Sequence, residues 1–359
     1  MVSIFYVPPC RVMDFDRRRI QYGGKIMGKG SYGCAFDPPL KCASGVEKQA
    51  KGHQIGKMTT RSEAEKEIYI SSVLKTIPHV ENYFATITSD CLLKPRAHQE
   101  EPDLRKCDVL AKRPYSEFVQ LVVPYSGQAI HFFNKQIRAG AIDFFKFGGH
   151  LLEGVSLLLL RGIVHFDLHK GNILVNDPNR PTIIDFGLSW RSSFLPKIAE
   201  DLAQNRFEPD YAQYSPELSI PEAAHASLSL NTPLFHEILE KKLVSRKLEL
   251  TVGVPYEQSL QELKEFIYDS QSIQSHNWLK FYQTYWPKFD AWAVGRILLD
   301  IYHVITSTRG YRPSEKDAVY MQVLRGLCTP SPKKRLNAAK ALQLWNPASP
   351  ILKELKQWV

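Results

Sequence analysis

Hydrophobic and polar positions follow two periods along the chain. Residues 61–75, RSEAEKEIYISSVLK, are rich in Glu, Lys and Ala and carry Ile70, Val73 and Leu74 at helical spacing. Between residues 142 and 161, Leu151, Leu152, Val155, Leu158 and Leu159 recur with the same period, and Gly162 stands where a helix-ending glycine belongs. Residues 289–302, FDAWAVGRILLDIY, are apolar almost all round, as a buried helix should be. Asp290 at its start can accept backbone N–H groups, from its own helix or from a neighbouring loop. Two further stretches, LFHEILEKKLVSRKLEL and SLQELKEFIYDS, also predict helices, with Pro233 and the GVP at 253–255 as breaks.

Period two appears elsewhere. FVQLVVPYSGQAI reads as a strand and its exit, and the charged, proline-containing residues 91–112 read as a loop before it. Residues 173–175 and 182–184 flank NDPNRP, whose Asn, Asp and Pro favour chain reversal, so the pair predicts a hairpin. Its antiparallel strands return Asn172 and Asp185 to one open end, and Asp167 lies on the loop leading in. Two carboxylates and an amide oxygen suit a hard cation such as Mg²⁺, which prefers a few protein oxygens plus substrate phosphates.

Composition limits the remaining classes. The 359 residues, 44% hydrophobic, suffice for one large core or two adjoining ones. Lys and Arg number 46 against 37 Asp and Glu, giving +9, but the basic residues are scattered and no nucleic-acid-binding motif accompanies them. The six cysteines, Cys10, Cys34, Cys42, Cys91, Cys107 and Cys328, lie far apart without C-x-x-C pairs, so reduced thiols in a cytoplasmic setting are expected. The N-terminus lacks a signal-peptide pattern, and VSLLLL is too short to span a bilayer.

HFDLHKGN at 165–172 resembles the catalytic loop H-R-D-L-x-x-x-N of the eukaryotic-type protein kinase superfamily, and Asp185-Phe186-Gly187 resembles its D-F-G motif. Gly28, Gly30 and Gly33 match G-x-G-x-x-G, with Ala35 where kinases usually place Val. No helix signal follows, which disfavours a Rossmann or Walker loop. HQIGKMTT resembles V-A-I-K and makes Lys57 the phosphate-binding lysine, ahead of Lys41, Lys48 and Lys51. YSPEL at 214–218 resembles A-P-E. Residues 289–302 resemble the helix beginning D-x-W-x-x-G, and 327–342 the late segment whose arginine, here Arg335, pairs with Glu217.

The resemblance covers about residues 23–342. It implies an α+β, two-lobed fold: an extension at 1–22, a small β-rich lobe at 23–124, and a larger helical lobe at 125–359 with ATP in the cleft. On the helix after Lys57, Glu67 is the matching glutamate and Glu63 lies one turn away. Pro124 (carbonyl) and Ser126 (N–H) would meet the adenine. Asp167 would take the proton from the attacking hydroxyl, and Asn172 and Asp185 would hold Mg²⁺.

Several features depart from the family. Phe166 replaces the arginine that grips a phosphorylated activation loop, so control through Ser192 or Ser193 is not expected. His169 replaces a lysine, as in aminoglycoside and choline kinases; it would donate to a phosphate oxygen or only pack in the loop, and Lys170 is an alternative charge. Residues 218–288 exceed the usual length and would serve as a docking surface for a partner, a lid or a buttress. PPLKC together with this insertion is similar to kinases encoded by large DNA viruses. The expected activity is transfer of the γ-phosphoryl of Mg-ATP to Ser/Thr of a protein substrate. The alternatives are a small-molecule phosphotransferase and a catalytically silent scaffold.

Overall fold

Side-chain alternation on a five-stranded antiparallel sheet divides the first part of the molecule into two apolar layers. The computed structural model describes residues 24–30, 33–43, 52–99, 103–130, 134–138, 140–242 and 244–359. The extension at 1–22 lies outside the described residues, as do Lys48 and Lys51. The chain divides into one unit comprising Met1–Gly127 with Ile184–Gly187, and a second comprising Gln128–Ile183 with Leu188–Val359. The expected α+β class is observed, with a small β-rich unit and a larger helical one.

In the first unit, strands β1 (Lys25–Lys29), β2 (Gly33–Asp37), β3 (Gln54–Thr60), β4 (Ser89–Leu92) and β5 (Phe118–Pro124) are ordered β1-β2-β3-β5-β4. Helix α1 (Arg61–Leu74) follows β3 directly. Successive residues of β5 face opposite ways. Val119 and Leu121 join Ala64 of α1 and Ile87, whereas Phe118 joins Cys34, Phe36, Met58 and Leu104. Gln120, fully buried, takes the place of a strand neighbour: its amide accepts from Leu40 N (2.7 Å) and donates to Leu40 O (2.9 Å).

The predicted loop at 91–112 consists of the end of β4 followed by short 3₁₀ turns, and disulfides tie it down. Cys34 is bonded to Cys107, and Cys42 to Cys91. These bonds correct the expectation of reduced thiols. Absence of C-x-x-C pairs excludes only local partners, whereas strand pairing brings together cysteines 73 and 49 positions apart. Loop-closure entropy puts each bond at about 4 kcal/mol, which matters for a turn-rich segment with little core of its own. Cys328 is free and buried, and burial raises its thiol pKa to about 12.

In the second unit, the predicted hairpin is β8 (Ile173–Asp177) and β9 (Arg180–Ile183), with Leu174 opposite Thr182; β6 (Gln128–Ala129) pairs with β8. After the short α2 (Asn134–Arg138), α3 (Phe144–Leu160) is capped by Asp143, which accepts from Lys146 N at 3.1 Å. It ends at Gly162, whose φ of 63° suits glycine. The short pair β7 (Ile163–Val164) and β10 (Trp190–Arg191) brackets the hairpin in sequence, and α4 (Leu195–Ala203) follows.

The 218–288 region folds as α5 (Ser219–His225), α6 (Thr232–Lys242), α7 (Val244–Val252), α8 (Tyr256–Asp269), α9 (Gln271–Gln274) and α10 (Trp278–Tyr285). Its Phe235, Leu263, Phe266 and Phe281 form one core with Val164 and Phe166 beside the HFDLHKGN loop. The region thus packs into the same core as that loop. Helix α11 (Phe289–Thr306) is buried along most of its length, and α12 (Lys316–Leu327) and α13 (Ala338–Trp345) complete the unit. Among the described residues no helix is long and apolar enough to cross a membrane.

Candidate active site

Residue identity and strand register place Lys57 on the α1 side of the first sheet, level with Ala35 on β2 and Leu121 on β5. Its Nζ donates to Glu67 Oε1 of α1 at 2.5 Å and to Asp185 Oδ1 at 2.8 Å. Glu63 is paired instead with Lys66 on its own helix, at 3.0 Å. Burial alone would pull the Lys57 ammonium down, but the carboxylates of Asp185 and Glu67 outweigh it and hold its pKa above the ordinary lysine value. Burial raises Glu67, against the opposing effect of Lys57. Two carboxylates on one ammonium leave a negative excess that a bound cation would offset.

Asp185 has φ of 66°, sparsely populated for a non-glycine residue. Gly187 N donates to Asp185 Oδ1 at 3.3 Å, and a Cβ on Gly187 would come within 3.4 Å of Glu67 Oε1. Phe186 is buried, edge-on to Phe84. In the glycine-rich hairpin, Gly28 lies opposite Ala35 and Gly30 N donates to Gly33 O at 2.8 Å. A Cβ on Gly33 would sit 1.9 Å from Met58 O, so close approach to β3 requires glycine there. Pro124 ends β5, and its carbonyl accepts from the Ser126 hydroxyl at 3.3 Å. Lys41 lies on the segment held by Gln99, which accepts from Lys41 N and donates to Lys41 O, both at 2.9 Å.

In the second unit, Asp290 of α11 clamps the loop: His165 N donates to its Oδ2 at 2.7 Å and Phe166 N to its Oδ1 at 3.1 Å. Phe166 is thereby held at φ of 66° and packs on Trp190 and Tyr214. An aromatic contact thus stands where the resemblance would place an arginine's ionic grip. Asn172 is fully buried, and its Nδ2 donates to Asp167 O (2.9 Å) and Asp167 Oδ2 (3.3 Å). Asn172 Oδ1 is buried without a hydrogen-bond partner. An orphaned amide oxygen of this kind fits a hard-cation ligand. Among the described residues no cluster of three or more His, Cys, Asp or Glu could hold a metal ion.

His169 Nδ1 accepts from Gly171 N at 2.9 Å, which leaves the proton of a neutral ring on Nε2, 3.8 Å from Asp167 Oδ1. Lys170 is paired with Asp300 of α11 at 2.7 Å, and Lys247 of α7 meets the other Asp300 oxygen. The charge suggested for Lys170 is therefore already matched.

Sequence reasoning missed two residues that contact Asp167. Tyr211 donates its hydroxyl to Asp167 Oδ1 at 2.6 Å, and Gln213 Nε2 donates to the same oxygen at 3.3 Å. Lys242, 1% exposed on α6, donates to Tyr211 O at 2.8 Å. No periodicity or motif marks these positions. Just beyond, Glu217 is bonded to Arg335 by two contacts of 2.6 and 2.7 Å with both side chains fully buried.

A small antiparallel sheet with one helix in the first unit, and a larger helical second unit carrying the hairpin and loop, make the fold α+β. Among solved structures the chain is similar to the crystal structure of the Toxoplasma gondii specific rhoptry antigen kinase domain, at 11% identity over 93% of this chain and 80% of that one, with a TM-score of 0.45. A likeness that distant carries no argument about function. No family model matches the chain, and no curated protein does.

Proposed function

We propose that the protein is an ATP-dependent protein kinase that transfers the γ-phosphoryl group to Ser/Thr hydroxyls. The observation that carries this reading is the Lys57 ammonium held between Glu67 and Asp185, 128 positions away in sequence. Binding alone would not call for the second feature, a carboxylate at Asp167 whose backbone and side chain are both fixed by Asn172.

In this reading Glu67 aims Lys57 at the α- and β-phosphates, and the glycine-rich hairpin brings backbone N–H groups to phosphate oxygens. Pro124 O and Ser126 N meet the adenine edge. Asp167 orients the acceptor hydroxyl and takes its proton. His169 Nε2–H supplies a donor beside Asp167. Asn172 Oδ1 and the Asp185 carboxylate would hold Mg²⁺, which when bound offsets the charge of the transferring phosphoryl group. Two disulfides in the β-rich unit favour an oxidising working environment over the reducing cytosol.

Incubation with γ-labelled Mg-ATP, a mixed peptide library and a panel of amino-sugar and choline acceptors tests the assignment. Label is expected on Ser/Thr peptides. Label confined to small molecules would replace the reading with a metabolite kinase, and nucleotide binding without transfer would leave a scaffold.

A further inference from the structure

A pocket of about 250 Å³ opens on the second unit, lined by Glu200, Gln204, His225, His276 and Trp278. It is smaller than the roughly 300–1,000 Å³ of sites that take whole small molecules, and suits one long side chain. Helix α4 ends there at Ala203 and α5 at His225, and α9 ends at Gln274, just before His276. The C-terminal end of a helix carries partial negative charge, which a cation complements. The last turn of α4 nevertheless holds Glu200 and Asp201 and no basic residue. A carboxylate thus adds to the negative end of the helix, an arrangement that a bound cation relieves. Among the described residues, no side-chain hydrogen bond or ion pair engages Glu200, Gln204 or His225. Lys197 of α4 and Lys280 of α10 do not line the pocket. One wall is aromatic: the His276 ring stacks on the Trp278 indole, with centroids 5.3 Å apart and planes 17° from parallel. Trp278 is buried in the core that also holds Phe281 and Phe289, which fixes this wall.

We propose that this pocket binds the guanidinium group of an arginine side chain presented by a partner protein. The Glu200 carboxylate accepts two parallel N–H bonds from the guanidinium fork, and Gln204 and His225 offer further acceptors. The planar group lies against the stacked rings of His276 and Trp278. Arginine makes that contact better than lysine, because its charge is delocalised over a flat group and more weakly hydrated. An ammonium offers neither the fork nor the plane. An anion would meet the Glu200 carboxylate and the negative end of α4, so the same residues disfavour a phosphorylated partner. The site is independent of the kinase reading, since its lining includes none of Lys57, Asp167, Asn172 or Asp185.

The test titrates the full natural chain at neutral pH, by calorimetry, with blocked peptides alike except for a central arginine, lysine, citrulline or phosphoserine. An arginine peptide carrying a photo-crosslinker is then mapped by mass spectrometry. The expected result is saturable binding of the arginine peptide, weaker binding of the lysine peptide and none of the citrulline peptide, with the crosslink at 200–204, 225 or 276–278. Glu200→Gln is expected to lower the arginine affinity about tenfold or more. Glu257→Gln, which removes an exposed carboxylate outside the pocket, should leave it unchanged. No saturable binding, equal affinity for the lysine or citrulline peptide, tighter binding of phosphoserine, or a crosslink elsewhere would each overturn the proposal. Self-association that the arginine peptide disperses would overturn the separate partner in favour of a second copy of this chain. Should Glu200→Gln fail to fold, the peptide series and the crosslink map on the natural chain decide by themselves.

Discussion

Asp300 shows how one carboxylate fixes two cations near a loop that has to stay ordered. Burial pushes its pKa up, but Lys170 and Lys247 outweigh burial and hold it below the ordinary value of 3.8. A carboxyl depressed in the folded state contributes stability that is present above its unfolded pKa and lost as pH falls through its folded one. Asp300→Asn is therefore expected to cost about 1.5–3 kcal/mol at neutral pH. The difference from the natural chain should shrink under strongly acid conditions, below the 3.8 reference. Urea denaturation at the two pH values checks this, and an equal loss at both would contradict it. Lys57, Glu67 and Asp185, which lie in contact, and Asp167 and Asn172, likewise in contact, were singled out by the sequence. Tyr211 and Gln213 were not. Their contacts with Asp167 span 44 and 46 positions and depend on how the intervening chain folds.

Elements were most legible where one period dominates. The predicted helix at 61–75 is α1, that at 142–161 is α3 over Phe144–Leu160, and the hairpin around NDPNRP is β8 and β9. The GVP break falls between α7 and α8, where Gly253 has φ of 68°. The turn-rich stretch before β5 was not legible in detail, because disulfides and the side-chain amides of Gln99 and Gln120 replace regular pairing there. Joining elements far apart in sequence, the Glu217–Arg335 pair was legible through its motif and is observed fully buried. Arg335 also donates to Thr329 O and Pro330 O, both at 2.9 Å, and lies over Trp292. Glu217→Ala strands that guanidinium, with an expected cost of about 3–5 kcal/mol. Chemical denaturation measures it; a loss under about 1 kcal/mol, typical of an exposed pair, would show that the pair is not desolvated in solution.

For the whole molecule, the sequence conveyed the class, a small β-rich part and a larger helical part, but not the redox state of its cysteines or the packing of the 218–288 region. The first depends on pairs formed across the sheet and the second on a core shared with the loop that carries Asp167. Both are tertiary facts that local pattern does not encode. The central claim is that Asp167 acts on the acceptor hydroxyl and not on nucleotide affinity. The most direct measurement titrates Mg-ATP into the natural chain and Asp167→Ala by calorimetry and follows phosphoryl transfer by both. Asp167→Ala is expected to bind nucleotide as the natural chain does and to transfer about 10²–10⁴-fold more slowly; turnover equal to the natural chain would contradict the account.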